Sequence, residues 1–558
     1  MTLAVLAALL GVGAFAFGWT SARASSAARV AAMALGGALA AVAVWRVSGT
    51  AFSETSLRRW KAVIPLLALW LAARGRRVGE TRAHGVALAL GVFSLAVWAE
   101  FGHLTPNHQV HRRDVFHYFI GARHHRELGY DRLYECTAVA EAELRGEAAV
   151  RARRYRELRT GLERPGGDAL AQADACHARF APARWRAFRD DVRWFRDASD
   201  DAYWQGIQLD HGYNPTPVWT LLEGSLTRLP ARATRASLSA LALLDPLLLL
   251  AALAFIGRAF GVRVAALGMI FWGAQEPASA AWMSGCVLRN DWLALTLAAL
   301  CLQRRGRHAL AGAALGWAAA TRGFPAALLL GGAASQAHAL LRGAPMDRRW
   351  TRLAAGFAGS VAALVALSAL YGGADDWAAW LRHIRHHNTE FSSNRVGLRT
   401  LFEYTLDGRL EALQRAPGDV LQRWDLARAA RSAATAPWYR ATAVALVGLI
   451  AWALRRVRTP WLATSLSAGA VWCLANLSSY YWALAMVLVI PAAAAPRWER
   501  AVLAALGLTQ LALVMPVFSY FYDDRYAVLS AAVGALTLAA PGCVAGLRGD
   551  VARRREAA

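Results

Sequence analysis

The sequence predicts an all-α polytopic membrane protein, a bundle of roughly 12–14 transmembrane helices with two large loops on one side. Three observations lead there. Of 558 residues 56% are hydrophobic and 18% charged, with a mean hydropathy of +0.28, whereas soluble domains carry about 25% charged residues. Long apolar runs recur from the first residues almost to the last. The basic residues sit between these runs in a one-sided pattern.

The first four spans are expected at 2–22, 28–47, 62–73 and 85–104. The opening run lacks a basic segment before it and is followed at once by another span, so it is expected to be a retained helix and not a cleaved signal. Residues 105–235 form the first large loop, with amphipathic helical patterns at Arg132–Arg159 and Pro182–Phe195 and a turn at Gly129-Tyr130. Further spans follow at 237–256, 264–283, 292–302, 309–341 and 353–371. The run 309–341 is too long for one straight crossing, and Thr321-Arg322-Gly323-Phe324-Pro325 predicts a broken helix or hairpin there. The second large loop covers 372–437. The last spans are expected at 439–454, 461–477, 481–495, 501–519 and 527–547. This divides the chain into N-terminal helices (1–84), a main module (85–547) and a basic tail (548–558).

Orientation follows from arginine. The short loops and tail assigned to the cytoplasmic side hold 22 arginines, and the short loops opposite hold 3. The positive-inside rule then places both large loops outside the cytoplasm. The side of the first residue is left open, because Arg58, Arg59 and Lys61 flank a short span.

The composition also excludes chemistry. Lys61 is the only lysine, and it follows a tryptophan and not a phosphate-binding glycine loop. There is no GxGxxG after a strand, no GxSxG and no HExxH. The net charge of +24 is carried by arginines at the ends of spans, so nucleic acid is not an expected partner. The six cysteines contain no CxxC pair. Cys136 and Cys176 share the first loop, as a disulfide in an oxidising compartment or as two thiols.

The polar features of interest gather on the outer side. Just beyond the fourth span stands His111-Arg112-Arg113-Asp114-Val115-Phe116-His117-Tyr118. An acid among cations and aromatics at a membrane surface suits a general base acting on a lipid-bound substrate, with an interfacial ion pair as the alternative. Glu127 and Asp131 are secondary acids. The loop ends in Asp210-His211-Gly212-Tyr213-Asn214-Pro215-Thr216-Pro217, a rigid turn in which Asp210 or Asn214 can bond sugar hydroxyls. Arg289 and Asp291 lie in one short outer loop, and Arg322 at the hairpin tip can hold a phosphate with its donor fork. In the second loop His383, His386 and His387 share one helix face, and Asn394 and Arg395 occupy a turn. No histidine spacing is diagnostic of zinc; no obligatory cofactor is expected, and a divalent metal is left open. Inside the membrane Asp245 and Glu276 stand out as costly acids, and the last outer loop, Ser519–Tyr526, reads as an aromatic belt with an acid pair, to which Tyr480 and Tyr481 belong.

Asp114 with Phe116–Tyr118, the Leu288–Trp292 segment, the Thr321–Pro325 break and the Asn394–Leu398 turn carry a resemblance. The chain resembles the GT-C superfamily of integral-membrane glycosyltransferases, and within it the bacterial polyprenyl-phosphate-mannose-dependent mannosyltransferases. The resemblance implies a GT-C-like bundle in the bacterial inner membrane, with its active site on the extracytoplasmic face. It implies a polyprenyl-phosphate-linked sugar as donor and a lipid or glycan hydroxyl as acceptor. Asp114 would be the catalytic base, and Arg113, His117, Tyr118, Asp210, Asn214, Arg289, Asp291, Arg322, His386, His387, Asn394 and Arg395 would bind substrate. Two other readings stay open: a transporter or flippase for a lipid-linked or anionic substrate, and a non-catalytic assembly protein.

Overall fold

The computed structural model describes residues 2–21, 23–48, 54–102, 110–389, 392, 394–413, 420–515, 523–537 and 539. The tail 548–558 and the first half of the 519–526 loop lie outside the described residues. The chain is mostly helical. Its only described strands are two antiparallel pairs, β1 (Arg154–Arg156) with β2 (Glu163–Pro165) and β3 (Arg395–Val396) with β4 (Leu477–Ser478).

Four helices open the chain: α1 (Thr2–Thr20), α2 (Ser26–Ser48), α3 (Glu54–Val78) and α4 (Glu80–Trp98). The main bundle adds α5 (Leu244–Phe260), α6 (Val262–Ala274), α7 (Asp291–Arg304), α8 (His308–Arg322), α9 (Leu330–Leu340), α10 (Arg348–Gly372), α11 (Ala374–Thr389), α12 (Val420–Leu454) and α13 (Pro496–Val514). Among the described residues, five helical stretches are long and apolar enough to cross a membrane: Ser26–Trp45, Glu80–Trp98, Arg235–Phe260, Arg348–Gly372 and Gln422–Leu454. Their apolar side chains face outward. On α10 Leu370 is 83% exposed and on α12 Val444 is 71% exposed, as expected of helices solvated by lipid.

The remaining apolar runs are shorter or broken. The run at 461–477 is two short helices, Pro460–Leu466 and Ala468–Leu474, and the run at 481–495 winds as a 3-10 helix over Ser479–Ala493. The expected hairpin at 309–341 is built as α8, a break at Gly323 (φ +72°), a 3-10 turn over Phe324–Leu329 and then α9. Gly312 and Gly316 on α8 abut the backbones of Leu353 and Phe357 on α10, so the two helices run parallel. A side chain at either glycine would collide with the neighbouring main chain, and only glycine permits this approach. α9 must therefore return between them.

Three expectations are corrected. The helix pattern over Arg132–Arg159 is realised as two helices, Leu133–Arg145 and the short Glu147–Arg151, broken at Gly146 (φ +88°), and the chain then turns into β1. The 394–397 turn is instead the strand β3, held by Asn394 O accepting from Ser479 N at 2.7 Å. The second large loop does not extend to 437, because α12 begins at Val420 and continues through Pro437.

Two hydrophobic cores result. One lies in the bundle. The other belongs to residues 110–241, where Phe116, Phe188, Phe195, Trp204 and Trp219 are fully buried and Cys136 is joined to Cys176. Buried carboxylates here are paired, as burial requires. Glu141 accepts from Arg196 and from Trp204 Nε1 (2.9 and 2.8 Å), and Asp191 Oδ2 forms an ion pair with Arg123 Nε and lies against His124 Nε2 (both 3.0 Å).

The packing also orders the helix ends. α1 is antiparallel to α2, since Gly18 meets Arg29 and Gly11 meets Gly36 and Leu39, and α2 is parallel to α4, since Met33 meets Gly85 and Gly37 meets Ala89. Lys61 Nζ donates to Glu276 at 2.6 Å and Arg525 Nη2 donates to the same carboxylate at 2.7 Å. This buried cluster ties α3 to the end of the bundle where α6 terminates, so the start of α1 lies at that end too.

Candidate functional site

At that same end the domain of residues 110–241 meets the bundle. His111 caps a short helix, Arg112–Val115, its Nδ1 accepting from Asp114 N at 3.2 Å. The helix passes directly into a π-turn over Phe116–Ile120, a feature that often marks functional sites. This aims Asp114 and Tyr118 towards the bundle. There the Leu288–Asn290 turn is fixed by Asp245, whose two oxygens accept from Arg289 N (2.8 Å) and Asn290 N (2.9 Å). Leu288 has φ +49°, a left-handed conformation that costs about 1 kcal/mol or more in a non-glycine residue and marks a specified turn.

The turn delivers Arg289. Its Nε lies 3.3 Å from Asp114 Oδ1, and its Nη1 donates to the Tyr118 hydroxyl. Its guanidinium lies 4.8 Å from the Tyr118 ring centre and 4.7 Å from that of Tyr480. Asp114 Oδ2 is buried and accepts no hydrogen bond among the described residues. Arg322, the last residue of α8 before the break, sits 5.8 Å from the Tyr118 ring and 3.9 Å from Asp291 Oδ1. Its Nε and Nη2 are buried without a hydrogen-bond acceptor among the described residues, so donors remain for an incoming anion.

These groups border a cavity of about 530 Å³. Six of the expected substrate-binding residues line it: Tyr118, Asn214, Arg289, Arg322, His387 and Arg395. Asp291 stands behind Arg322, and Asp114 touches the cavity through Arg289. Asn394 flanks β3 and accepts from Ser392 Oγ at 2.5 Å. The domain of residues 110–241 and α11 close over the mouth, where His383 Nε2 lies 2.6 Å from Asn214 Oδ1 and Trp380 Nε1 donates to Asn214 O at 3.1 Å. His386 does not line the cavity and packs instead against Gly161 of the first loop.

Arg113, His117 and Asp210 form a second group on the far side of Asp114. Arg113 Nε is 4.0 Å from Asp210 Oδ2, and both remain partly exposed. His117 is buried, with Nε2 2.7 Å from the Tyr134 hydroxyl. Burial lowers its pKa, outweighing the pull of Asp210 and Asp114. Burial would raise Asp210, but His117, His211 and Arg113 hold it below the usual carboxylate range. Burial raises the Tyr118 phenol despite Arg289 and Arg322, so it stays neutral. Asp114 thus separates a cationic, aromatic-walled cavity from a partly solvated polar cleft.

Sequence reasoning missed Tyr481 and Tyr480 as cavity walls, reading them as belt aromatics. It marked Asp245 as an unusual intramembrane acid without its role as the clamp of the Arg289 turn. It gave Asn476, Arg399 and Tyr439, all in the lining, no signal. Among the described residues no three His, Cys, Asp or Glu side chains converge as metal ligands would. Comparison with family models, with curated proteins and with solved structures finds no match to this chain.

Proposed function

We propose that this chain is a membrane glycosyltransferase of the GT-C kind, moving a sugar such as mannose from a polyprenyl-phosphate donor to a lipid or glycan hydroxyl at the extracytoplasmic face. The observation that carries the reading is the Asp114–Arg289 pair at the wall of a cavity that also holds Arg322 and Arg395. The Cys136–Cys176 disulfide supports an oxidising location for the outer domain. The arginine-rich ends of α3, α6 and α13 support a cytoplasmic location for the opposite end of the bundle.

The donor phosphate binds in the cavity against Arg289 and Arg322, and its sugar stacks on the tyrosine walls. The acceptor enters from the Arg113–Asp210 cleft. Arg289 turns from Asp114 towards the phosphate, leaving the carboxylate free to accept the hydroxyl proton. The acceptor oxygen attacks the anomeric carbon as the carbon–oxygen bond to phosphate breaks, with inversion. The departing phosphate dianion gains charge that the two guanidiniums stabilise more strongly than in the ground state. Desolvated in this cavity, those cations act more strongly than they would in water.

The test is sugar transfer from membranes supplied with radiolabelled polyprenyl-phosphate sugars, comparing wild type with Arg289→Ala and Arg322→Ala at matched expression. The proposal requires wild-type transfer and its loss in both variants. Absence of transfer by the wild-type protein across several donors would sink it.

A further inference from the structure

A second cavity, of about 770 Å³, lies at the opposite end of the bundle between α3, α4, α6 and α13. Its two halves differ. The deeper wall is apolar, formed by Leu71, Ala72, Leu267, Ile270 and Leu503, while the mouth carries Arg263, Arg497, Arg500, Glu80, Glu499 and His84. Arg263 is paired with Glu499, and Glu80 lies 3.9 Å from His84. Arg497 and Arg500 are exposed at the mouth. Three arginines against two glutamates leave a positive balance. The N-termini of α4, α6 and α13 converge on the same place and add their positive dipole ends.

We propose that this cavity binds an anionic phospholipid of the cytoplasmic leaflet, with its phosphate on Arg497 and Arg500 and the first part of its chains along the apolar wall. The division into a cationic mouth and an apolar interior fits an amphiphile. A soluble anion would leave the apolar half uncovered, and a zwitterionic lipid would bring a second cation to the arginines. Basic pockets between membrane helices on the cytoplasmic side recognise anionic headgroups in this way. The bound lipid bridges the N-terminal helices α3 and α4 to α6 and α13 of the main module. The proposal rests on the membrane reading of the chain and is independent of glycosyl transfer.

The test uses the full-length protein in an uncharged maltoside detergent, following thermal unfolding and native mass spectra. Phosphatidylglycerol is expected to raise the melting temperature by several degrees and to appear as a retained adduct. Phosphatidylcholine of the same chains and glycerol 3-phosphate are expected to do neither. Arg497→Ala/Arg500→Ala should melt like wild type in detergent alone and lose at least half of the response. Equal stabilisation by phosphatidylcholine would overturn the proposal, as would a full response to glycerol 3-phosphate, which marks a soluble-anion site, or an unchanged response in the double variant. Asp114→Asn should keep the whole response, so a failure of the transferase reading is told apart from a failure of this one.

Discussion

The two ends of the bundle each carry a cavity lined by arginines, four at one end and three at the other, and they use them differently. At the end that carries Asp114, Arg289 and Arg322 are largely withdrawn from solvent, with side chains 12% and 6% exposed, walled by tyrosines and aimed by a clamped turn and a helix break. At the other end Arg497 and Arg500 stand exposed on the first turn of a helix. The difference teaches that arginine in a membrane protein is informative by its supports more than by its presence. Enclosed guanidiniums carry a desolvation cost that only specific partners offset, so one whose donors lack an acceptor among the described residues, as on Arg322, marks a candidate anion site. Exposed ones cost little and follow the general rule of sidedness.

That contrast can be broken or sharpened by experiment, the largest effect first. Arg289→Ala should lower transfer about 10²–10³-fold, the size expected for removing one preorganised charge stabiliser. Arg497→Ala should leave transfer within about twofold. Equal losses would erase the contrast. Arg289→Lys should recover little, because a point ammonium cannot bridge Asp114, Tyr118 and a phosphate as a planar fork does.

Next in size is the outer domain's disulfide. Cys136 and Cys176 are 40 residues apart, so Cys136→Ser/Cys176→Ser should cost about 2–4 kcal/mol by releasing the unfolded chain from the cross-link, read as a lower melting temperature under non-reducing conditions. Reduction of wild type should reproduce it. Removing the clamp in Asp245→Ala leaves two backbone N–H groups without their acceptor and should cost about 2 kcal/mol. Its signature is a loss of transfer with the membrane helices still intact by circular dichroism.

The smallest effect is pH dependence at the mouth of the outer cavity. Burial, with His387 and His211 adding to it, pushes His383 down to about 4, and burial likewise lowers His111 and His117. The unfolded chain binds protons near pH 6.5 that the folded chain refuses. Stability is therefore complete above about pH 6.5 and declines as pH falls towards 4. The account predicts a melting temperature flat from pH 8 to 7 and falling below 6.5, with a shallower fall in His383→Gln. A melting temperature that rises on acidification would contradict it.

Much of the architecture was legible in the sequence because apolar runs and arginine placement are local signals. The hairpin at Thr321–Pro325 could be read from a glycine and a proline, and the structure breaks the helix there. The disulfide could only be left open, since its pairing depends on how helix Leu133–Arg145 and helix Ala173–His177 pack. Of the candidate site, Asp114, Arg289 and Arg322 were legible as charges where charge is expensive. Their convergence was not, because 175 residues separate Asp114 from Arg289 and the turn that joins them is set by Asp245. The walls Tyr480 and Tyr481 look like interfacial aromatics in sequence, and the strand pairing β3 to β4 that brings them near Arg395 is non-local.

The most direct test of the central claim is the rate of sugar transfer from a polyprenyl-phosphate donor by wild type and by Asp114→Asn, at matched expression and with equal melting temperatures in detergent confirming that both are folded. The account predicts a loss of about 10²–10⁴-fold in the variant, the range expected for removing a general base. Transfer by Asp114→Asn at the wild-type rate would contradict it.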